Sequence, residues 1–237
     1  MLNGQSFRAE RLGPLIEFGN LATVEGLPTI EGSDWLDANP LRAFVEARSI
    51  TDTNWLQSDG RIGFISGRGL SCDQALTSFK IDAHKAALAA NFGKSAALLV
   101  AALGELIGNV VDHSEATHTG IATFGARDSS FEFVVADRGI GALKSLHKCV
   151  EHAEISDEGA ALCAMIEQGV SRYGSETMHG NGFQPIFEKL ADMQGMLRFR
   201  SGDFGLSLDG RFGNKISLQL SQKPRLSGVF IAVVCNL

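Results

Sequence analysis

Three short motifs rich in polar residues and glycine occur in order along the chain, and this order constrains the fold more than any other feature. They are ELIGNVVDHS at residues 105–114, DRGIG at residues 137–141 and GNG at residues 180–182. The first lies in an apolar segment with helical spacing, the second ends an apolar strand-like run, and the third precedes a helix-like stretch. We therefore expect one site built from a helix, a strand end and the start of another helix.

The first motif places a polar stripe on an apolar helix predicted over residues 95–113. Its members follow the spacing i, i+4, i+7 and i+8 and share one helical face: Glu105, Asn109, Asp112 and His113. An internal hydrogen-bond network is one interpretation, because each unpaired buried polar group costs about 1–3 kcal/mol. A metal and phosphate site is the other, in which Asn109 binds Mg²⁺, Glu105 orients or deprotonates a water, and His113 contacts phosphate.

The second motif places a carboxylate at a predicted strand end, directly before two glycines. Asp137 would accept a hydrogen bond from the exocyclic amine of adenine, while Gly139 and Gly141 allow the backbone to approach a flat base. A tight turn capped by the aspartate is the alternative interpretation. We also predict that Lys144, which follows the motif, is one of the cofactor-binding residues.

The third motif precedes a helix predicted over residues 185–193. Gly180, Asn181 and Gly182 would leave main-chain N–H groups free near the start of that helix. Such N–H groups, together with the helix dipole, favour the binding of anions. The motif therefore predicts a phosphate cradle, with a flexible loop as the alternative.

In this order the motifs resemble those of the histidine-kinase-like ATPase superfamily, which includes gyrase, histidine kinases and MutL. Residues 105–114 resemble its N-box, residues 137–141 its G1 box and residues 179–183 its G2 box, and the insert at about 142–179 resembles its ATP lid. The resemblance covers about residues 75–237 and implies a Bergerat-type α+β fold. In that fold a two-layer sandwich places helices on one face of a mixed β-sheet.

The resemblance implies a role for each matching residue. Asn109 would hold Mg²⁺, Asp137 would recognise adenine and Glu105 would act as general base, while the glycines of the second and third motifs would shape the pocket. Two positions depart from the family pattern: Gln184 stands where kinases usually have a glycine, and Phe183 stands where leucine is common. These departures affect the predicted lid and phosphate geometry.

The implied function is Mg·ATP binding by a signalling protein that transfers a phosphoryl group to a partner protein or hydrolyses ATP. A nucleotide-dependent interaction switch with little or no catalysis is the alternative. A scaffold that binds no nucleotide is a third option, which the presence of Asn109 and Asp137 argues against.

The motifs divide the chain into an N-terminal extension, residues 1–74, and an ATP-binding domain, residues 75–237. The extension is expected either to pack on the sheet or to mediate homodimerisation. Within the domain the patterns predict helices at 73–91 and 95–113, a hairpin of strands 120–126 and 130–136, and separate strands at 196–200, 216–220 and 228–235.

Composition narrows the partners and the compartment. The net charge is −6 and the chain has no basic block, which argues against nucleic-acid binding. The apolar run 96–103 is too short to span a bilayer, and no N-terminal signal pattern is evident. The four cysteines lack CxxC spacing, and the sequence around Cys149 matches no standard zinc site. We therefore expect a cytoplasmic protein with reduced thiols and no membrane partner.

Overall fold

The computed structural model describes residues 6–8, 10–21, 29–31, 54–167, 192–211 and 217–237. In these ranges the helices are α1 (Leu12–Leu21), α2 (Asp73–Ala89), α3 (Ser95–His113), α4 (Gly141–Leu146) and α5 (Glu158–Glu167). The strands are β1 (Ser6–Arg8), β2 (Thr29–Glu31), β3 (Asn54–Leu56), β4 (Ile62–Ser66), β5 (Ile121–Arg127), β6 (Ser130–Ala136), β7 (Met196–Asp209) and β8 (Ser217–Asn236). Short 3-10 turns lie at Gly67–Ser71, Thr117–Thr119 and Val150–His152.

Strands β3 to β8 form one six-stranded sheet in the order β3-β4-β5-β6-β8-β7, and each neighbouring pair is antiparallel. Strands β1 and β2 pair in parallel in a separate sheet. The α+β class is therefore confirmed, whereas the expected mixed sheet is wrong for the described part of the main sheet. Consecutive strands form four of the five pairs, all but that of β6 with β8, and a tight turn such as that between β5 and β6 joins antiparallel strands.

Strand β6 lies inside the sheet and is buried on both faces, to which its side chains point alternately. Phe131, Phe133 and Val135 join a core beneath α2, α3, α4 and α5, whereas Val134 and Ala136 join a second core beneath α1. We call these two sides of the sheet the helical face and the α1 face. The described residues thus form three layers: the expected helices on one face of the sheet, the sheet itself, and on the other face α1, which belongs to the segment expected to be an N-terminal extension.

Helix α1 lies within the segment that was expected to form an N-terminal extension. Leu12, Leu15 and Ile16 are at most 1% exposed and belong to the core of the α1 face. Pro14 is the third residue of α1, and a proline in the first turn removes no intrahelical hydrogen bond. Packing on the sheet is thus observed for α1, and homodimerisation through the extension stays a prediction.

Hydrogen bonds to charged side chains also hold α1 against the sheet. Glu17 accepts hydrogen bonds from Arg198 Nε and Nη2, each at 2.7 Å, and from Arg200 Nη1 at 2.5 Å. At the start of the helix, Leu12 N donates to Glu132 Oε1 at 3.1 Å. Burial raises the pKa of Glu132 from 4.5 to about 7, although this hydrogen bond lowers it in part.

Helix α3 matches the predicted range but is buried on one face only. Leu99, Leu103, Leu106 and Ile107 are at most 1% exposed, whereas Glu105 lies on the exposed side. Among the described residues, α3 alone is long and apolar enough to cross a membrane, with a mean hydropathy of 1.5. Its apolar residues pack into the core of the helical face, as those of a core helix do.

The last two strands form one long hairpin, whereas the sequence predicted three separate strands. Pairing runs from Met196 opposite Val234 to Asp209 opposite Ser217, with register shifts on either side of Gly202. Irregularities of this kind bend a strand and redirect its side chains. The bend lies where β7 and β8 approach the end of β6, and it therefore shapes the surroundings of the second motif.

Candidate functional site

The carboxylate at the end of β6 is the central feature of the site. Asp137 is 2% exposed, and its Oδ1 accepts a hydrogen bond from Gly139 N at 2.7 Å. Burial raises the pKa of Asp137 from 3.8 to about 6, although the N–H groups of Gly139 and Val229 lower it in part. The side chain is therefore mostly ionised at neutral pH. A buried carboxylate in this state is a strong hydrogen-bond acceptor.

A glycine in β8 makes room for this carboxylate. Gly228 has φ +72°, and a Cβ atom there would lie 2.4 Å from Asp137 Oδ1 and 2.3 Å from Asp137 O. The backbone of β8 therefore packs directly against the aspartate, and no larger residue fits without a shift. Gly228 was not among the predicted site residues, although a glycine inside an apolar strand often marks such a close approach.

The end of helix α3 contacts the loop that carries the second motif. Ser114 O accepts a hydrogen bond from Ile140 N at 3.0 Å, and a Cβ atom on Gly139 would lie 2.0 Å from that oxygen. Gly139 is thus needed for close packing between the loop and the helix end. The structure therefore brings the last residue of the first motif against the second motif, which are separate in the sequence.

Side chains from three other elements fix the main chain of this loop and of α4. Their contacts are Arg138 N to Thr119 Oγ1 at 3.0 Å, Ala142 N to Ser201 Oγ at 2.9 Å, and Leu143 N to Glu158 Oε2 at 3.2 Å. A buried N–H group without a partner costs about 1–3 kcal/mol, so these acceptors hold the loop in place. None of the three was predicted, because only the tertiary fold brings them to the loop.

The predicted polar residues of α3 lie at graded distances from the loop. Asn109 and His113 are half-buried, whereas Glu105 is exposed. Asn109 precedes Ser114 by about 7 Å along the helix axis, and Glu105 precedes it by about 13 Å. The two residues that were predicted to contact metal and phosphate are thus nearer to the loop than the predicted base. The buried hydrogen-bond network that was the alternative does not extend to Glu105.

The first half of the predicted lid is part of the packed domain. Ala142, Leu146, Ala161 and Leu162 are at most 2% exposed and join the core of the helical face. An ion pair between Lys148 and Glu115 also ties this segment to the end of α3. Residues 142–167 therefore pack against the core next to the loop. Residues 168–179 of the predicted lid lie outside the described residues.

The remaining predicted site residues differ in their position relative to the loop and in whether the structure describes them. Gly141 is buried with φ +81°, in a position that requires glycine, and a Cβ atom there would lie 2.9 Å from Ser201 Oγ. Lys144 is exposed on α4. The third motif, Gly180, Asn181 and Gly182, lies outside the described residues, as do the two departures at Phe183 and Gln184.

A separate cluster of possible metal ligands lies at the 3-10 turn that follows α4. The ligand atoms of Cys149, Glu151 and His152 lie within 4.8 Å of one another, and Glu151 is exposed. His147 contacts the main-chain oxygen of Ile155 at 2.9 Å instead. None of the four cysteines of the chain forms a disulfide bond. Cys149 and His152 are half-buried, and three ligands at this spacing match no standard zinc site.

The raised pKa of Asp137 predicts a dependence of stability on pH. The folded protein retains this proton between about pH 4 and pH 6, where the unfolded chain has lost it, so the free energy of unfolding falls as the pH rises through this range. Two pKa units correspond to about 3 kcal/mol. Denaturant titrations should show this fall in the wild type and a smaller fall in Asp137→Asn, in which only the contribution of Glu132 remains.

Glu132→Gln provides the comparison for that measurement. Because the pKa of Glu132 is raised from 4.5 to about 7, this variant should remove the contribution of Glu132 to the decline between about pH 4.5 and pH 7. The decline that remains should end near pH 6, the pKa of Asp137. A pH profile of Asp137→Asn parallel to that of the wild type would show that Asp137 does not hold a proton in this way.

Comparison with known proteins gives no matching family model and no match among curated proteins.

Proposed function

We propose that the protein binds Mg·ATP in a site between the end of helix α3 and the loop of residues 137–141. The contact between Ser114 and the main chain of Gly139 and Ile140 is the observation that carries this proposal. This contact brings the polar face of α3 next to the buried carboxylate of Asp137. A nucleotide could then place its base at the carboxylate and its metal-bound phosphates at the polar face. The resemblance to histidine-kinase-like ATPases supports the same assignment.

The carboxylate of Asp137 suits the base end of such a ligand. It is buried and mostly ionised at neutral pH, so a donor from the exocyclic amine of adenine would stabilise it. Gly228 packs directly against the carboxylate and Gly139 against Ser114, so the main chain holds the carboxylate in place. Guanine carries an oxygen in place of that amine and would face this carboxylate with an acceptor.

The polar face of α3 suits the phosphate end. Asn109 offers a neutral oxygen, and Mg²⁺ binds few protein oxygens together with water and phosphate oxygens. His113 and Lys144 are the proposed phosphate contacts, and Gly180, Asn181 and Gly182 the proposed cradle. When bound, Mg·ATP supplies the γ-phosphoryl group, and the exposed Glu105 is the proposed base for the accepting water or hydroxyl.

Two uses of the bound nucleotide follow from this site. In the first, a cytoplasmic signalling enzyme transfers the phosphoryl group to a partner protein or to water, mostly by positioning and charge stabilisation. In the second, nucleotide occupancy changes a surface that a partner protein recognises. The packed segment 142–167 supports the second use, because it follows the loop directly in the chain and is held to β7 by the hydrogen bond from Ala142 N to Ser201 Oγ.

Asp137→Asn tests the base assignment. Isothermal titration calorimetry with Mg·ATP should give measurable affinity for the wild type and at least about tenfold weaker binding for the variant, because a charged hydrogen bond is lost. Asp128→Asn is the matched control, since Asp128 is exposed in the turn between β5 and β6. Equal affinity in wild type and Asp137→Asn would remove the adenine assignment, and absence of binding by the wild type would remove the proposed function.

Glu105→Ala separates the two uses of ATP. If the protein is an ATPase or kinase, the variant should bind Mg·ATP as the wild type does and lose about a hundredfold or more in turnover. Asp112→Ala is the control on the same helix, because Asp112 is also exposed. Unchanged turnover would exclude Glu105 as the base. A wild type that binds ATP without turnover would instead support the switch.

A further inference from the structure

Consecutive residues at the end of β6 point to opposite faces of the sheet. Asp137 follows the alternation of Phe133 and Val135 on the helical face, so Arg138 follows that of Val134 and Ala136 on the α1 face. One peptide unit therefore separates the proposed adenine contact from a side chain that reaches the other layer. The two faces of the domain are in this way connected through the main chain of the loop.

Arg138 binds the C-terminal end of helix α1. Its Nε donates a hydrogen bond to Asn20 Oδ1 at 3.3 Å, and its Nη2 donates to Gly19 O at 3.2 Å. The last carbonyl groups of a helix lack intrahelical partners and carry partial negative charge, so a guanidinium is a favourable cap there. Asn20 is 5% exposed and Arg138 is half-buried, so this contact is partly shielded from solvent.

The main chain of Arg138 is fixed at the same time. Its N–H donates to Thr119 Oγ1 at 3.0 Å, and the next N–H, that of Gly139, donates to Asp137 Oδ1 at 2.7 Å. A displacement of α1 would therefore pull on a residue whose neighbours orient the buried carboxylate. The other polar contacts of α1, at Glu17 and Glu132, bind it to β7 and to the start of β6.

We propose that Arg138 is a positioning residue that couples the docking of α1 on the sheet to the nucleotide affinity of the Asp137 loop. This inference rests on the proposed function. Coupling between two sites is reciprocal, so nucleotide binding also strengthens the docking of α1. Helix α1 is then the regulatory element of the domain: any event that displaces it weakens nucleotide binding without contact with the nucleotide.

Asn20→Ala and Arg138→Ala test the coupling in the full chain. Both variants should bind Mg·ATP about fivefold or more weakly in calorimetry, the lower range of measured allosteric couplings. The double variant should bind no more weakly than Arg138→Ala alone, because the two residues act through one contact. Arg138→Lys retains the charge but not the planar guanidinium fork, and it should recover only part of the affinity.

Glu132→Gln is the matched control at the opposite end of α1. It keeps an oxygen for Leu12 N, leaves the contacts of Arg138 intact, and should keep the nucleotide affinity of the wild type. A role of Arg138 in general stability alone would lower the melting temperature of the Asn20 and Arg138 variants without changing their nucleotide affinity. This split between stability and affinity identifies the positioning role.

Hydrogen exchange of the Gly139 amide, measured without nucleotide, separates failure of the coupling from failure of the proposed function. The exchange rate should rise about tenfold in Asn20→Ala and in Arg138→Ala, and stay unchanged in Glu132→Gln. If the wild type binds Mg·ATP and both variants keep its affinity and its exchange rate, the coupling is overturned and the pocket stands. If the wild type binds no Mg·ATP, the coupling to nucleotide fails with the proposed function, and the exchange rate still shows whether α1 positions the loop.

Discussion

Strand β6 is packed between a layer of helices and helix α1, so each of its side chains is committed to one buried face or the other. The strand ends at Ala136 with this alternation intact. Of the next two residues, Asp137 accepts a hydrogen bond from Gly139 N beside β8, and Arg138 reaches the end of α1. The proposed pocket and the proposed regulatory contact both depend on this single geometric property of a strand.

The exit from β6 is rigid because its N–H groups find acceptors in distant parts of the chain. Thr119, Ser201 and Glu158 supply three of them, and the main chain of Ser114 supplies another. Each acceptor offsets the cost of burying an N–H group, so removal of one would affect the shape of the whole loop. A site that recognises a flat base by one carboxylate requires this degree of order, because a small displacement breaks a hydrogen bond.

Local sequence patterns predicted most of the helices and strands that form the helical face, but they did not predict the helix that covers the α1 face. The hairpin of β5 and β6, helix α3 and the position of Asp137 at a strand end agree with alternation, helical spacing and turn residues. Helix α1 was missed because its glycines and Pro14 resemble a loop, and it is stabilised mainly by burial against the sheet. Tertiary packing thus determined the secondary structure of this segment, in which the local helix propensity is weak.

The residues of the site also divide into those that local patterns predicted and those that they did not. Asp137, Gly139 and Gly141 could be found because carboxylates and glycines at a strand end are unusual in a buried segment. Gly228 and Ser201 could not be found with the same certainty, since their roles arise from the pairing of β7 with β8 and from its register shifts. Register depends on contacts between strands far apart in the chain, which no short pattern records.

The most direct test of the account is hydrogen exchange by mass spectrometry on the wild type, with and without Mg·ATP. The account predicts that the nucleotide slows exchange in residues 105–114 and 137–143, where the helix end meets the loop. Exchange that is unchanged in both segments at a saturating concentration of Mg·ATP would contradict a nucleotide site at this position.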